Sequence, residues 1–175
     1  MPLTFLRNLG IVSAAGITTT KLGTGAVLQV VSTNKTDTFS TSSTSFVDIT
    51  SFSVTLTPSS ATSKFLIFVR ISSNNDGVGH PYFRLMRDST AIHIGDASAS
   101  LTRASSVGGF ISASWQQSDH VIIHTDSPNT TSSIVYKVQC AMESPNTLYI
   151  NKSSRDTGSA DARTASSINV MEIAG

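Results

Sequence analysis

An antiparallel β-sandwich is the fold class that this sequence predicts, and three observations predict it. Apolar residues recur at every second position from Ala26 onward, clusters of Pro, Asn, Asp and Gly cut that alternation into short runs, and no helical period survives past the first dozen residues. Alternation places the apolar side chains on one face of an extended strand. Many short strands without crossover helices cannot be joined in parallel, which leaves an antiparallel sandwich or barrel.

Composition points the same way. Of 175 residues, 30 are Ser and 22 are Thr, while charged residues make up only 13%. Long solvated helices need more Glu, Lys and Arg than that, whereas hydroxyl residues between Val, Ile and Phe suit strand faces. With 39% hydrophobic residues and a net charge of +1, the chain has neither the low hydrophobicity nor the charge imbalance of a disordered segment. Its length suits one domain with its own core.

The strongest run is "KFLIFVRIS" from Lys64, where Phe65, Ile67, Val69 and Ile71 alternate with Leu66, Phe68 and Arg70. Both faces are mostly apolar, which predicts a central strand with Phe65, Ile67 and Val69 buried. The other runs begin at Ala26, Thr44, Ser51, Tyr82, Thr90, Val107, His120, Ser132, Asn146 and Ser166, making eleven candidate strands. Between them lie "TPSSATS", "NNDGVGHP", "RDST", "DSPNTTS" and "ESPNT". Pro presets φ, and Asn, Asp and Gly tolerate tight-turn dihedrals, so short loops are expected. The longest breaks, from Ala97 and from Lys152, are the candidates for mobile or partner-facing loops.

The first 24 residues differ in character from the rest. Leu3, Phe5, Leu6, Leu9, Ile11 and Val12 put apolar surface into a segment too short and too interrupted to form its own core, and "ITTTKLGTG" follows as a linker. Arg7 and Asn8 break the apolar run and no basic stretch precedes it, so an anchoring tail is expected rather than a signal peptide. The division is therefore an anchor and linker at 1–24 and a sandwich domain at 25–175. No run reaches the roughly 18 to 20 apolar residues of a membrane-spanning helix.

Chemistry-bearing motifs are sparse. No cluster of Lys and Arg favours nucleic acid. The single cysteine, Cys140, lies in the alternating run "SSIVYKVQCAM" and is expected as a small buried hydrophobe. His120 and His124 would share a strand face about 13 Å apart, too far to hold one ion, and neither His80 nor His93 completes a ligand set. "NNDG" at Asn74 lacks the alternating carboxylates of a calcium loop and is expected as a tight turn. There is no Gly-x-Ser-x-Gly elbow, and the carboxylates are scattered near turns. No catalytic residue, metal ligand or cofactor is expected. Asn34, Asn129 and Asn151 begin Asn-x-Ser/Thr triplets, which chance supplies readily in so hydroxyl-rich a chain. Trp115, followed by Gln116 and Gln117, is expected at a strand end, either as an aromatic platform for a sugar or partner or, the commoner arrangement, as a ring packed over the end of the sandwich. With Arg155 and Arg163 of the long loop it makes the candidate surface-contact set.

The phrases "GAVLQVVSTNKTDTFSTSSTSFVDIT", "SVTLTPSSATSKFLIFVRIS", "FRLMRDSTAIHIGD", "LYINKS" and the closing "INVMEIAG" resemble a family of tail-fibre or virion-appendage proteins of marine tailed bacteriophages, over roughly residues 25 to 175. The resemblance implies a structural virion component and not an enzyme. It also implies attachment to other virion proteins through the N-terminal segment, and contact with a host-surface glycan or protein through the loops. With only about 25 residues before the domain, a short fibre or appendage is expected rather than a long shaft. Strand spacing is also similar to that of the trimeric jelly rolls of the tumour-necrosis-factor and complement-head kind, which implies a jelly roll that forms a homotrimer. The competing readings are a capsid decoration or head-fibre protein, a surface depolymerase and a secreted lectin.

Overall fold

A computed structural model describes residues 22–109 and 113–175. The six apolar residues expected to anchor the chain lie outside them. The described chain is an antiparallel β-sandwich of eleven strands: β1 (Val27–Lys35), β2 (Phe39–Thr41), β3 (Val47–Leu56), β4 (Lys64–Asn75), β5 (Pro81–Arg87), β6 (Thr90–Ile92), β7 (Ser106–Val107), β8 (Ser118–Asp126), β9 (Ile134–Met142), β10 (Leu148–Ile150) and β11 (Ser166–Ile173).

In the first sheet β4 is central, as expected of the "KFLIFVRIS" run. Strand β8 pairs along one side of it, and the other side is shared, β11 lying against Lys64–Arg70 and β10 against Ser73–Asn75. Strands β1 and β2 continue outward from β11 and β10. The second sheet runs β3, β9, β5, and the outer edge of β5 is divided between β6 and β7.

The two inward faces meet in one core. Phe65, Ile67, Val69 and Ile71 of β4, Ile168 and Val170 of β11 and Ile122 of β8 oppose Phe52, Val54 and Leu56 of β3, Phe83 and Leu85 of β5 and Ile134, Tyr136, Val138 and Cys140 of β9. These positions alternate in sequence because successive side chains of a strand point to opposite faces. Cys140 is fully buried, and burial pushes its thiol up to about 12.

The runs from Thr44 and Ser51 are a single strand. Along β3, Asp48 and Ser53 pair with Gln139 and Lys137, so five steps on β3 span two on β9. Ser51 has φ 55° at this bulge, and the inward set switches from Ile49 to Phe52, Val54 and Leu56. The bulge lets two runs of opposite phase face the same core. Strand β2 was not expected from the alternation, because at three residues it is too short to show any. The run from Val107 is corrected as well. Among the described residues of that run only Val107, with Ser106 before it, is in a strand, and Ala113–Gln116 is a turn closed by the Gln116 N–H to Ala113 O bond of 3.0 Å. The run from Thr90 stops at Ile92, since His93 has φ 51° and leaves the sheet.

The sandwich has two unlike ends. At one, the chain enters through Leu22–Gly25 and leaves at Ala174, held by Gly25 N–H to Ala174 O and Ala174 N–H to Ala26 O bonds, each 2.8 Å. Beneath them Glu172, 1% exposed, accepts from Ser63 Oγ at 2.6 Å, from the Ser59 N–H at 2.6 Å and from Gln29 Nε2. Burial alone would raise its carboxyl, but those hydrogen bonds outweigh it and hold it below the ordinary value. At the other end, the segments between β4 and β5, before β8, and between β10 and β11 gather. Gly79 turns there at φ 124°, and a Cβ on it would meet Ser144 Oγ.

Candidate functional site

Two surfaces stand out. The first is the outer face of the first sheet. On β4 the outward residues are Lys64, Leu66, Phe68 and Arg70, with Lys64 at the lower margin, and pairing sets Met171 and Thr125 on either side of Leu66, Asn169 and Ile123 beside Phe68, and Ser167 and Val121 beside Arg70. Val30 of β1 lies beyond Met171. Leu66, Phe68 and Met171 are half-buried by their neighbours alone, while Val30, Val121 and Ile123 are 57%, 58% and 53% exposed. No element of the described chain covers this strip, and its only ion pair, Arg70 to Asp119 at 2.7 Å, lies at the upper margin of the apolar rows. Such a face is costly to leave in water, at about 25 cal/mol per Å² of apolar surface.

The second surface lies above that margin, where two loops are stapled together. The Arg155 N–H donates to Ser114 O at 3.2 Å, Ser154 Oγ to Ser114 O at 3.1 Å, Gln117 Nε2 to Ala162 O at 2.8 Å and Thr164 Oγ1 to Gln117 Oε1 at 2.8 Å. Asn74 of β4, buried, ties both from below, donating to Gln116 O and accepting from the Ser154 N–H. Trp115 sits in this platform with Arg155 over its ring, the guanidinium carbon 5.6 Å from the ring centroid. Arg155 is itself held by Asp161 through bonds of 2.7, 3.0 and 3.2 Å, and this partner holds the Asp161 carboxyl far below the usual carboxylate range. Arg163 reaches Asp156 at 2.8 Å, which Lys152 also approaches at 3.4 Å. The three candidate contact residues are thus gathered in one place, although Trp115 is neither at a strand end nor packed over the sandwich. It is 60% exposed.

The histidines are engaged separately. His120 is buried, bonded to Ser73 Oγ at 2.8 Å and packed on Phe83 with ring centroids 4.8 Å apart. His124 stacks on His93 at 4.7 Å, where β8 closes over the end of β6. Burial lowers both His120 and His124, the neighbouring His93 and Arg87 adding to the effect at His124 and Asp126 opposing it. Among the described residues no group of three or more His, Cys, Asp or Glu is placed to hold a metal ion, and no helix is long and apolar enough to cross a membrane. Asn151, one of the three Asn-x-Ser/Thr residues, is fully buried, its amide donating to Lys35 O and Asp37 O at 2.8 and 2.9 Å.

The apolar strip was readable only in part from the sequence: the mixed outward set of β4 marked it, but no signal in one strand tells whether its second face meets another layer. No protein-family model matches the chain, and no curated protein matches it.

Proposed function

We propose that the protein is a structural component of a bacteriophage virion, a short tail fibre or appendage that self-associates as a homotrimer and is fixed to the particle by residues 1–24. The observation that carries this reading is the uncovered apolar strip around Leu66, Phe68, Ile123 and Met171 on an otherwise well-packed sandwich. A second copy of the chain is its natural cover, because the strip is nearly free of charge and in a cyclic trimer it would pack head-to-tail on a different surface of the next copy, so that every copy buries it alike. Two four-column sheets, with β1/β2, β11/β10, β4 and β8 in one and β3, β9, β5 and β6/β7 in the other, support a jelly roll. The polarity of the fold supports the attachment mode. Leu22–Gly25 leads out beside Ala174, at the end away from the Trp115 platform, so a particle-bound anchor would leave that platform facing outward.

Deleting residues 2–24 and measuring mass by light scattering and incorporation into particles tests both parts. A folded trimer that no longer joins particles is expected. A stable monomer refutes the trimer, and continued incorporation refutes the anchor.

A further inference from the structure

We infer that the Trp115 platform is a binding site for an uncharged glycan, a sugar ring stacking on the open surface of the indole. The inference rests on the appendage reading only for the source of the sugar, a host surface. Trp115 leaves 60% of its surface in water although the core of this sandwich is otherwise closed around its large rings, Phe52, Phe65, Phe83 and Tyr136 being at most 1% exposed. The ring cannot fold inward, because the turn that carries it is tied to the loop after β10 through Ser114 and Gln117 and to β4 through Asn74. Arg155 lies over it and is itself fixed by Asp161, so the turn and one side of the indole are held before any ligand arrives.

The surroundings select the ligand class. A protein hot spot sits in a well-packed pocket from which water is driven out, whereas Trp115 stands open beside Ser114, Gln116 and Arg155. Hydroxyl, amide and guanidinium groups around one flat apolar surface match a pyranose, whose C–H face is apolar and whose edge is a ring of hydroxyls. An acidic sugar would need a free cation. Arg155 is taken by Asp161, and Arg163 and Lys152 share Asp156, so each of the three cations around the platform already holds a carboxylate.

Trp115 is the chain's single tryptophan, so its fluorescence reports on this site alone. The full chain is titrated with hexasaccharides of glucose, mannose, galactose and N-acetylglucosamine, and with polygalacturonate as the acidic comparison. Expected is a saturable blue shift with protection from iodide quenching for at least one neutral hexasaccharide. Trp115→Ala should weaken that binding at least tenfold by calorimetry while leaving the thermal transition and the oligomeric mass unchanged. No saturable response to a neutral sugar, a response to polygalacturonate alone, or undiminished binding by Trp115→Ala overturns the inference. Loss of the oligomer in Trp115→Ala also overturns it, by assigning the ring to the self-association face. The wild-type titration decides the matter even if the variant does not fold, and none of these outcomes bears on incorporation into particles, which tests the appendage reading separately.

Discussion

The outer faces of the two sheets are built from strands of similar length and the same Ser- and Thr-rich stock, yet they solve the problem of facing water in opposite ways. On the second sheet, Asp48 of β3 accepts from Lys137 Nζ at 2.7 Å and from Gln139 Nε2 at 2.9 Å of β9, Ser53 and Thr55 are exposed beside them, and Arg84 of β5 lies 3.6 Å over the Phe46 ring while donating to Arg103 O. Cross-strand polar pairs satisfy that surface within one chain. The first sheet offers Val30, Met171, Leu66, Phe68, Ile123 and Val121 instead, with no polar pairing inside the strip. A chain with few charges has placed them where two strands can use them together and has left the other outer face apolar and uncovered within the described residues.

The largest expected effect separates the two faces of β4. Ile67→Asp puts a carboxylate into the fully buried core, at a cost of about 4 kcal/mol or more, and should give insoluble or unfolded protein by circular dichroism. Native-like, soluble Ile67→Asp would mean that this residue does not face the core. Phe68→Asp, one residue along, should keep the thermal transition of the isolated domain within about 1 kcal/mol while abolishing self-association by sedimentation. The matching change on the other sheet, Gln139→Asp, should leave the mass of the assembly untouched. If Gln139→Asp dissociates the oligomer and Phe68→Asp does not, the comparison is reversed.

Smaller effects probe the ends and the edge where the sheets meet. Glu172→Gln cannot accept at both oxygens from Ser63, Ser59 and Gln29, and should cost about 1 to 3 kcal/mol at neutral pH in urea unfolding. Because the folded state lowers the Glu172 carboxyl, its stabilisation is complete above the unfolded value near 4.5 and lost as pH falls through the folded one, so the variant's deficit should shrink in acid. A constant deficit down to low pH would show that the carboxylate charge is not what the cage recognises. His120 and His124 act higher on the scale. Both are lowered by burial from 6.5, so their contribution is present above that value and declines as pH drops below it. The melting temperature should fall between about pH 6.5 and 5, and His120→Gln with His124→Gln together should flatten that fall; an unchanged slope would place the titration elsewhere.

Much of the sandwich is legible in the amino-acid sequence, for a local reason. Alternation in β4, β8, β9 and β11 is long enough to declare both strand and inward face, and Ile67, Tyr136 and Cys140 all point where their phase predicts. Where the runs are short or interrupted, that signal fails. Phe39–Thr41 has too few residues to alternate, and two runs of opposite phase look like two strands although the bulge at Ser51 joins them in β3. The site is legible as residue types and not as a place. Trp115, Arg155 and Arg163 are marked by being aromatic and basic in loops, but the bonds from Ser114, Gln117 and Asn74 that bring the loops together join residues up to 80 positions apart.

By itself, then, the sequence determined the class of fold, the central strand and the inward residues, because period-2 burial is a local property written along each strand. Only the tertiary structure decided which apolar face finds a second layer and which is left open, that the tryptophan stands out from its platform, and that the cations near it are each paired with a carboxylate. Those depend on which strands pair and where distant loops meet, and pairing is settled by the packing of the whole chain rather than by any stretch of it.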